Sequence, residues 1–248
     1  MAYEALAASY DRLTQDIPYE DLLHYYKKLW SIYGKTPKTA LDLACGTGSL
    51  TVLLAEVGLS VLGVDASEEM LTEAYEKAVS LENAPYFIRQ KMQRLRLPAP
   101  VDFAVCCLDG INYLTKPADC REAFRRVFQS LNPGGLFVFD INSEAKLRGL
   151  DGQVFLDEDE DVYCVWRASF EEQTRICSYG MDVFQRQGRL WRRSQELHEE
   201  YAYTAEELTA WLLDAGFSGI RVFGDRTLDA PSEKEQRIFF AAERGEST

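Results

Sequence analysis

The sequence predicts an α/β protein with a mostly parallel sheet and a small antiparallel β lobe inserted into it. Between residues 38 and 141, short apolar stretches alternate with helical stretches of about 10–15 residues, which is typical of βαβ units. The strands of such a sheet are buried on both faces. Residues 162–203 instead contain many aromatic and β-branched residues without a long helical period, which indicates antiparallel strands.

Residues 1–145 are predicted to form an N-terminal helical segment followed by most of the α/β core. In the helical segment Leu22, Tyr26 and Leu29 share one face, and Gly34 ends the helix. In the core, each apolar strand is followed by a helix or a turn. The predicted strands are 39–44, 60–65, 86–89, 101–108 and 136–141, and the predicted helices are 48–56, one starting at 67, and 119–131.

Residues 146–203 are predicted to form the inserted lobe. From Cys177 to Val183, apolar residues alternate with small or polar ones, as in a half-buried antiparallel strand. Gln187-Gly188 is a candidate turn, and the acidic run 157–161 is interpreted as a solvated loop at the entrance of the lobe.

Residues 204–248 are predicted to return to the core. A helix over 208–215 has a start signal at 204–207 and a stop at Gly216, and strands over 219–223 and 237–242 complete the sheet.

Composition limits the function of this 248-residue chain. With 27 basic and 40 acidic side chains, its formal net charge is −13 when both histidines are neutral. This balance argues against a nucleic-acid-binding surface, because such a surface needs basic residues to displace counterions from phosphates. An anionic membrane surface is disfavoured for the same reason.

Location and metal content are predicted from what the sequence lacks. The N-terminus has no basic and long apolar region like that of a signal peptide, and the apolar stretch 51–64 is too short to span a bilayer. The six cysteines include no C-x-x-C pair and no histidine at metal-ligand spacing. We therefore expect a cytoplasmic protein that binds no metal.

The strongest chemical signal is a glycine-rich turn after the first predicted strand, Leu-Asp-Leu-Ala-Cys-Gly-Thr-Gly over residues 41–48. Gly46 and Gly48 let the backbone approach a ligand closely, and the following helix start offers free N–H groups. Asp65 ends the next strand, 17 residues beyond Gly48, where an acidic side chain can accept hydrogen bonds from a ribose diol. Together they predict a nucleoside-binding crevice.

The form of this turn separates two cofactors. The dinucleotide pattern G-x-G-x-x-G/A requires Gly or Ala at position 51, where this chain has Thr51, so an NAD-dependent dehydrogenase is disfavoured. The pattern Asp42-x-Ala44-x-Gly46-x-Gly48 instead resembles the first motif of class I S-adenosylmethionine (AdoMet)-dependent methyltransferases. Residues 63–71, 109–114, 131–140 and 213–217 also lie at that family's spacing.

The N-terminus extends the resemblance. Tyr10-Asp11 followed by Tyr19 is similar to the N-terminal lid of the bacterial YqeM-like methyltransferases, a small-molecule branch. The resemblance implies a Rossmann-like fold with a mostly parallel seven-stranded sheet flanked by helices. It also implies AdoMet as cofactor and S-adenosylhomocysteine (AdoHcy) as product.

The resemblance also assigns roles around the cofactor. The turn carrying Ala44, Gly46 and Gly48 would pass beside the methionine moiety, and Asp42 would orient that turn and reach the amino group through water. Asp65 would hold both ribose hydroxyls. The remaining contacts would be Ala66, Met70 and Met92 around the adenine, Leu108 and Asp109 beside the methionine moiety, and Tyr10 covering the cofactor.

One departure from the family lies after the third strand. The family usually has Gln-Asp-Met, with the Asp accepting from the adenine amino group, whereas this chain has Gln90-Lys91-Met92. Lysine has no acceptor atom. Either Gln90 or a backbone carbonyl replaces the carboxylate, or AdoMet binds more weakly than usual.

Four residues are candidates for the catalytic or acceptor side. Asn112 and Tyr113 follow the fourth strand and are either substrate contacts or turn and core residues. Asp140, with Asn142, lies at the carboxyl end of the fifth strand and is expected to point toward the crevice. His198 is interpreted first as a surface residue and second as a general base.

The sequence therefore favours methyl transfer from AdoMet to a nitrogen or oxygen of a small molecule by in-line displacement. The protein is expected to act as a monomer or homodimer. One alternative is a non-catalytic AdoMet- or AdoHcy-binding protein, and another is an RNA or protein methyltransferase, although the charge of −13 counts against RNA.

Overall fold

The computed structural model describes residues 17–245, which form two sheets. The first has seven strands in the order β10-β11-β5-β4-β1-β2-β3, and β11 runs antiparallel to its neighbours β5 and β10. Its strands are β1 (Thr39–Leu43), β2 (Ser60–Asp65), β3 (Tyr86–Arg89), β4 (Val101–Cys106), β5 (Leu131–Asn142), β10 (Phe217–Phe223) and β11 (Arg237–Arg244). The predicted fold class, a mostly parallel seven-stranded sheet with a separate antiparallel sheet, is confirmed.

Helices cover both faces of this sheet, which explains why its central strands are mostly apolar. On one face α1 (Tyr19–Ile32) and α2 (Ser49–Glu56) bury Leu22, Tyr26 and Leu54. On the other, α4 (Pro117–Ser130) and α6 (Ala205–Ala215) bury Phe124 and Leu212. The helix α3 (Glu68–Ala78) packs near β3, and a 3-10 turn (Met92–Arg94) precedes β4.

Local signals set the helix ends as the sequence predicts. Ser67 caps α3 by accepting a hydrogen bond from the Met70 N–H. At α6, Thr204 and Glu207 form a reciprocal capping box, and Gly216 ends the helix in the left-handed conformation. Residues 1–16, which the helical prediction also included, lie outside the described residues.

The second sheet is antiparallel, in the order β6-β7-β8-β9, and lies between β5 and α6 in sequence. Its strands are β6 (Val154–Glu158), β7 (Val162–Glu171), β8 (Ile176–Gln187) and β9 (Leu190–Tyr201). The predicted alternation in β8 is confirmed, because Cys177, Tyr179, Met181 and Val183 are buried on one face. This sheet is called the lobe sheet below.

Several predicted boundaries are wrong. The predicted strand 101–108 ends at Cys106, because Leu108 and Asp109 adopt left-handed backbone conformations that a strand cannot contain. The acidic run is exposed as expected, but its first two residues extend β6 rather than a loop. The short helix α5 (Glu144–Gly149), capped by Ser143, was not predicted.

Within residues 17–245, no helix has the length and apolar character needed to cross a membrane. In the same residues, no three His, Cys, Asp or Glu side chains are grouped so that they could hold a metal ion.

Candidate functional site

A cavity of about 180 Å³, open to solvent, lies outside the carboxyl ends of β1, β2 and β4. This is where open α/β sheets bind ligands. Seven of the predicted cofactor residues line it: Ala44, Gly46, Asp65, Ala66, Met70, Met92 and Leu108. Tyr113 lines it as well, together with residues that the sequence did not single out: Cys45, Thr47, Leu50, Val64, Cys107 and Gly110.

The two glycines of the turn have different roles. Gly46 (φ +53°) lines the cavity, and a Cβ placed on it would meet no atom of the described residues within 4 Å, so its open side faces the ligand space. Gly48 (φ +75°) does not line the cavity. A Cβ there would lie 2.9 Å from the Cβ of Ala74, so this glycine allows α2 and α3 to approach closely.

Asp65 connects the turn to the end of β2. Its Oδ2 accepts a hydrogen bond from the Gly46 N–H at 3.0 Å, and its Oδ1 accepts one from the Ser67 N–H at 2.8 Å. Burial raises the pKa of this carboxyl group, and the backbone hydrogen bonds offset part of that shift. Each oxygen keeps a lone pair with which it can accept from a ribose hydroxyl.

Asp42 lies beneath the turn and does not line the cavity. It is completely buried, and its Oδ2 accepts a hydrogen bond from the Thr51 hydroxyl at 2.5 Å. Its Oδ1 has no hydrogen-bond partner among the described residues. Burial raises the pKa of Asp42 to about 7. Thr51, which breaks the dinucleotide pattern, therefore anchors the acidic residue of the turn.

At the predicted adenine end, Lys91 is exposed and does not line the cavity, whereas Gln90 does. The Gln90 amide is held by the Arg96 backbone, since Oε1 accepts from the Arg96 N–H at 2.9 Å and Nε2 donates to the Arg96 carbonyl at 3.0 Å. The lysine thus replaces the family's acceptor without placing a cation in the cavity.

The cavity wall formed by residues 107–110 is held by Asp140 and Arg237, which do not line the cavity. The Leu108 and Asp109 N–H groups donate to the two carboxylate oxygens of Asp140, at 2.9 and 3.1 Å. Arg237 pairs with the same carboxylate and with Oδ1 of Asp109 at 2.8 Å. Asp140 was expected to point toward the crevice, but it is fully buried in these contacts and does not line the cavity. Neither does the Asp109 side chain.

Asn112 is a connection between the two sheets. Its Nδ2 donates to the carbonyls of Asn142 and Tyr201, at 3.1 and 3.0 Å, and its Oδ1 accepts from the Asn142 N–H at 3.0 Å. Because it is completely buried and bonded to backbone in both directions, the structure favours the turn-and-core interpretation of this residue over a substrate contact.

The first interpretation of His198, as a surface residue, is wrong. It is only 3% exposed, because the lobe sheet turns this face of β9 toward the core. Its Nε2 lies 2.8 Å from Oε2 of Glu196, and its ring packs edge-on against Tyr113 with centroids 6.1 Å apart. Since Tyr113 lines the cavity, a histidine–carboxylate pair lies behind the cavity wall.

Two charged residues that the sequence gave no reason to select contact Asn142. Glu200 accepts from Asn142 Nδ2 at 2.8 Å, and burial followed by the charge of Asp109 raises its pKa to about 8. Lys146 donates to Asn142 Oδ1 at 2.7 Å, and burial lowers its pKa. Their positions depend on how α5 and β9 pack, and the spacing of neighbouring residues in the sequence does not indicate that packing.

Comparisons with known proteins agree with this geometry. A family model described as a methyltransferase domain matches residues 40–135. The YqeM protein of Bacillus subtilis (strain 168) is 33% identical over 249 residues, covering 100% of this chain and 99% of the relative. The chain belongs to the YqeM-like methyltransferases.

Solved structures support the same family. An S-adenosylmethionine-dependent methyltransferase from Clostridium acetobutylicum ATCC 824 is 31% identical, with a TM-score of 0.88 over 99% of this chain and 100% of that one. The sugar N-methyltransferase KedS8 from Streptoalloteichus sp ATCC 53650 shares the fold, with a TM-score of 0.77, 21% identity and coverage of 96% and 93%. The protein is thus an AdoMet-dependent methyltransferase, not a dehydrogenase.

The cavity fits that cofactor on its own evidence. Asp42 has a buried oxygen that lacks a partner among residues 17–245, and such a group is costly unless a water or a ligand satisfies it. Gly46 leaves open the space that a Cβ would fill, and Asp65 presents a carboxylate at the rim. Tyr10, predicted to cover the cofactor, lies outside the described residues.

Proposed function

We propose that this methyltransferase acts on a nitrogen or oxygen of a small molecule that binds between the cofactor cavity and the lobe sheet. The observation that carries the proposal is the His198–Glu196 pair, which the lobe sheet brings against Tyr113 at the cavity wall. The fold of the sugar N-methyltransferase KedS8 adds support. The net charge of −13 counts against RNA as acceptor.

When bound, AdoMet supplies a methyl group on a sulfonium, which is already activated for displacement. The protein's work is then to align the two reactants and exclude water. We assign the ribose hydroxyls to Asp65, the adenine to Ala66, Met70 and Met92, and the methionine moiety to Leu108.

Because His198 lies behind Tyr113 and does not line the cavity, the proton that the attacking nucleophile must lose would reach it by way of Tyr113. Its Nε2–H donates to the Glu196 carboxylate, which stabilises the ring after it takes up the proton. Both side chains are buried, so this interaction is weakly screened. Tyr113 would hold the imidazole in place from the cavity side.

Replacing His198 with asparagine is expected to lower the rate of methyl transfer about 10²–10⁴-fold, the usual contribution of a general base. AdoHcy should still bind as tightly as to the wild type. The measurement is AdoHcy production with the best acceptor, and Glu199→Gln, an exposed neighbour on β9, is the control. Full activity in His198→Asn would contradict the assignment.

The substrate class is tested with an acceptor panel of small amines and hydroxyl compounds, beside a bulk RNA pool and a peptide pool. The proposal expects AdoHcy to form with one or more of the small molecules. Methylated product in the RNA or peptide pool, with none in the small-molecule panel, would overturn it.

The affinity for AdoMet is expected to rise about tenfold between pH 6 and pH 8. Burial raises the pKa of Asp42 to about 7, so the carboxyl group holds a proton below that pH. A cationic ligand favours the ionised form, and binding at low pH must therefore expel the proton. In Asp42→Asn, the part of the pH dependence of AdoMet affinity that this carboxyl group causes should disappear. The measurement is titration calorimetry at several pH values. An equally steep dependence in Asp42→Asn would contradict this role.

We also propose that the protein works in the cytoplasm, as a monomer or homodimer. All six cysteines are free and buried, which suits a reducing compartment.

A further inference from the structure

We infer that Arg237 is a positioning residue for the cofactor site, which it shapes by holding the wall formed by residues 107–110. Arg237 does not line the cavity and would touch neither cofactor nor acceptor. It acts through Asp140 and Asp109. The inference rests on the proposed use of this cavity by AdoMet.

The backbone conformation of the wall formed by residues 107–110 is unfavourable without support from other residues. Leu108 and Asp109 adopt φ values of +56° and +57°, and neither is a glycine. Consecutive left-handed residues with side chains are unfavourable and persist only where the surroundings fix them. Cys107, Leu108 and Gly110 all line the cavity, so the conformation of this segment sets the shape of the cavity beside β4.

The fixing group is the Asp140 carboxylate, which accepts both strained N–H groups at 2.9 and 3.1 Å. Asp140 is completely buried, and a buried carboxylate requires a countercharge. Arg237 supplies it and at the same time binds Oδ1 of Asp109 at 2.8 Å. The Arg237 guanidinium therefore holds the wall in two ways. It pairs with Asp140, which accepts from the wall's backbone N–H groups, and it binds the Asp109 side chain directly.

The register of the sheet explains why this residue lies here. β11 runs antiparallel to β5 and places Arg237 opposite Asn142, at the carboxyl end of β5. Its Nη2 also donates to Asn142 Oδ1 at 3.1 Å. A planar fork with five donors can serve Asp140, Asp109 and Asn142 together, whereas a lysine ammonium is a single point on a flexible stem. Arg237→Lys therefore keeps the positive charge but cannot bind Asp140, Asp109 and Asn142 at the same time.

The test compares Arg237→Lys with Arg244→Lys. Arg244 lies on the same strand and its guanidinium bonds the carbonyls of Phe128, Gln129 and Leu131, away from the cavity. Two quantities are measured: the AdoHcy dissociation constant by titration calorimetry, and the hydrogen-exchange rates of the Leu108 and Asp109 amides without ligand. Melting temperatures show the general loss of stability in each variant.

Arg237→Lys is expected to weaken AdoHcy binding at least tenfold and to speed exchange at Leu108 and Asp109. Arg244→Lys should lower the melting temperature without either effect. If both variants lose stability alike while Arg237→Lys keeps wild-type AdoHcy affinity and wild-type exchange, Arg237 is a structural residue only and the inference is overturned.

A second variant guards against misfolding. Arg237→Met removes the guanidinium from Asp140 and Asp109, so Asp140→Asn is combined with it to remove one of the two carboxylates. This double variant is also expected to bind AdoHcy at least tenfold more weakly, because the substituted amide keeps one acceptor oxygen and turns an NH₂ donor toward the other backbone N–H. Wild-type affinity in the folded double variant overturns the inference. A wild-type protein that binds no AdoHcy would instead overturn the proposed function, and the exchange measurement separates the two.

Discussion

Asp65→Ala is expected to weaken AdoMet and AdoHcy binding by roughly 100-fold or more while the protein stays folded. A hydrogen bond to a charged group contributes about 1.5–3 kcal/mol, and the ribose diol would lose two of them. The variant also removes the acceptor of the Gly46 N–H, so the turn that lines the cavity loses its connection to β2.

The measurement is titration calorimetry with AdoHcy, with the melting temperature of the apo protein beside it. Asp214→Ala is the matched control, because that carboxylate pairs with Arg121 on the surface and does not line the cavity. Unchanged affinity in Asp65→Ala would exclude Asp65 as the ribose-binding residue.

The second large effect is expected at Gly46. Gly46→Ala should abolish measurable AdoMet binding or weaken it by more than tenfold, since its methyl group enters the open space beside the turn. The left-handed backbone (φ +53°) adds a stability cost of about 1 kcal/mol for any residue with a Cβ. Loss of binding therefore has to be separated from loss of stability.

Gly34→Ala provides that separation. Gly34 has φ +63° and likewise no atom of residues 17–245 within 4 Å of an added Cβ, but it lies after α1 and does not line the cavity. Both variants should lose similar amounts of unfolding free energy, and only Gly46→Ala should lose affinity. Equal AdoMet affinity in the two variants would show that Gly46 does not border the cofactor.

Features with a local cause could be predicted from the sequence. The predicted strands 60–65 and 86–89 match β2 and β3 residue for residue, because their apolar runs are bounded by turn or cap residues. The glycine-rich turn and Asp65 come together because the turn follows β1 and Asp65 ends the adjacent parallel strand β2, and the carboxyl ends of such strands meet at one edge of the sheet.

Features that depend on packing could not be predicted. The burial of His198 arises from how the lobe sheet lies against Tyr113, and the role of Asp140 arises from the pairing of β5 with β11. Arg237 is 97 residues from the carboxylate that it neutralises, so no spacing rule finds it. Even the end of β4 depends on a hydrogen bond that the Leu108 N–H donates to the Asp140 carboxylate on β5.

The most direct test of the account is the thermal unfolding of the purified protein with AdoMet, with AdoHcy and with NAD. A ligand at 100 times its dissociation constant stabilises the folded state by about 2.7 kcal/mol. For a chain of this size that raises the melting temperature by roughly 5–11 °C. The account predicts this increase with AdoMet and AdoHcy and none with NAD. No increase with either AdoMet or AdoHcy, or an equal increase with NAD, would contradict it.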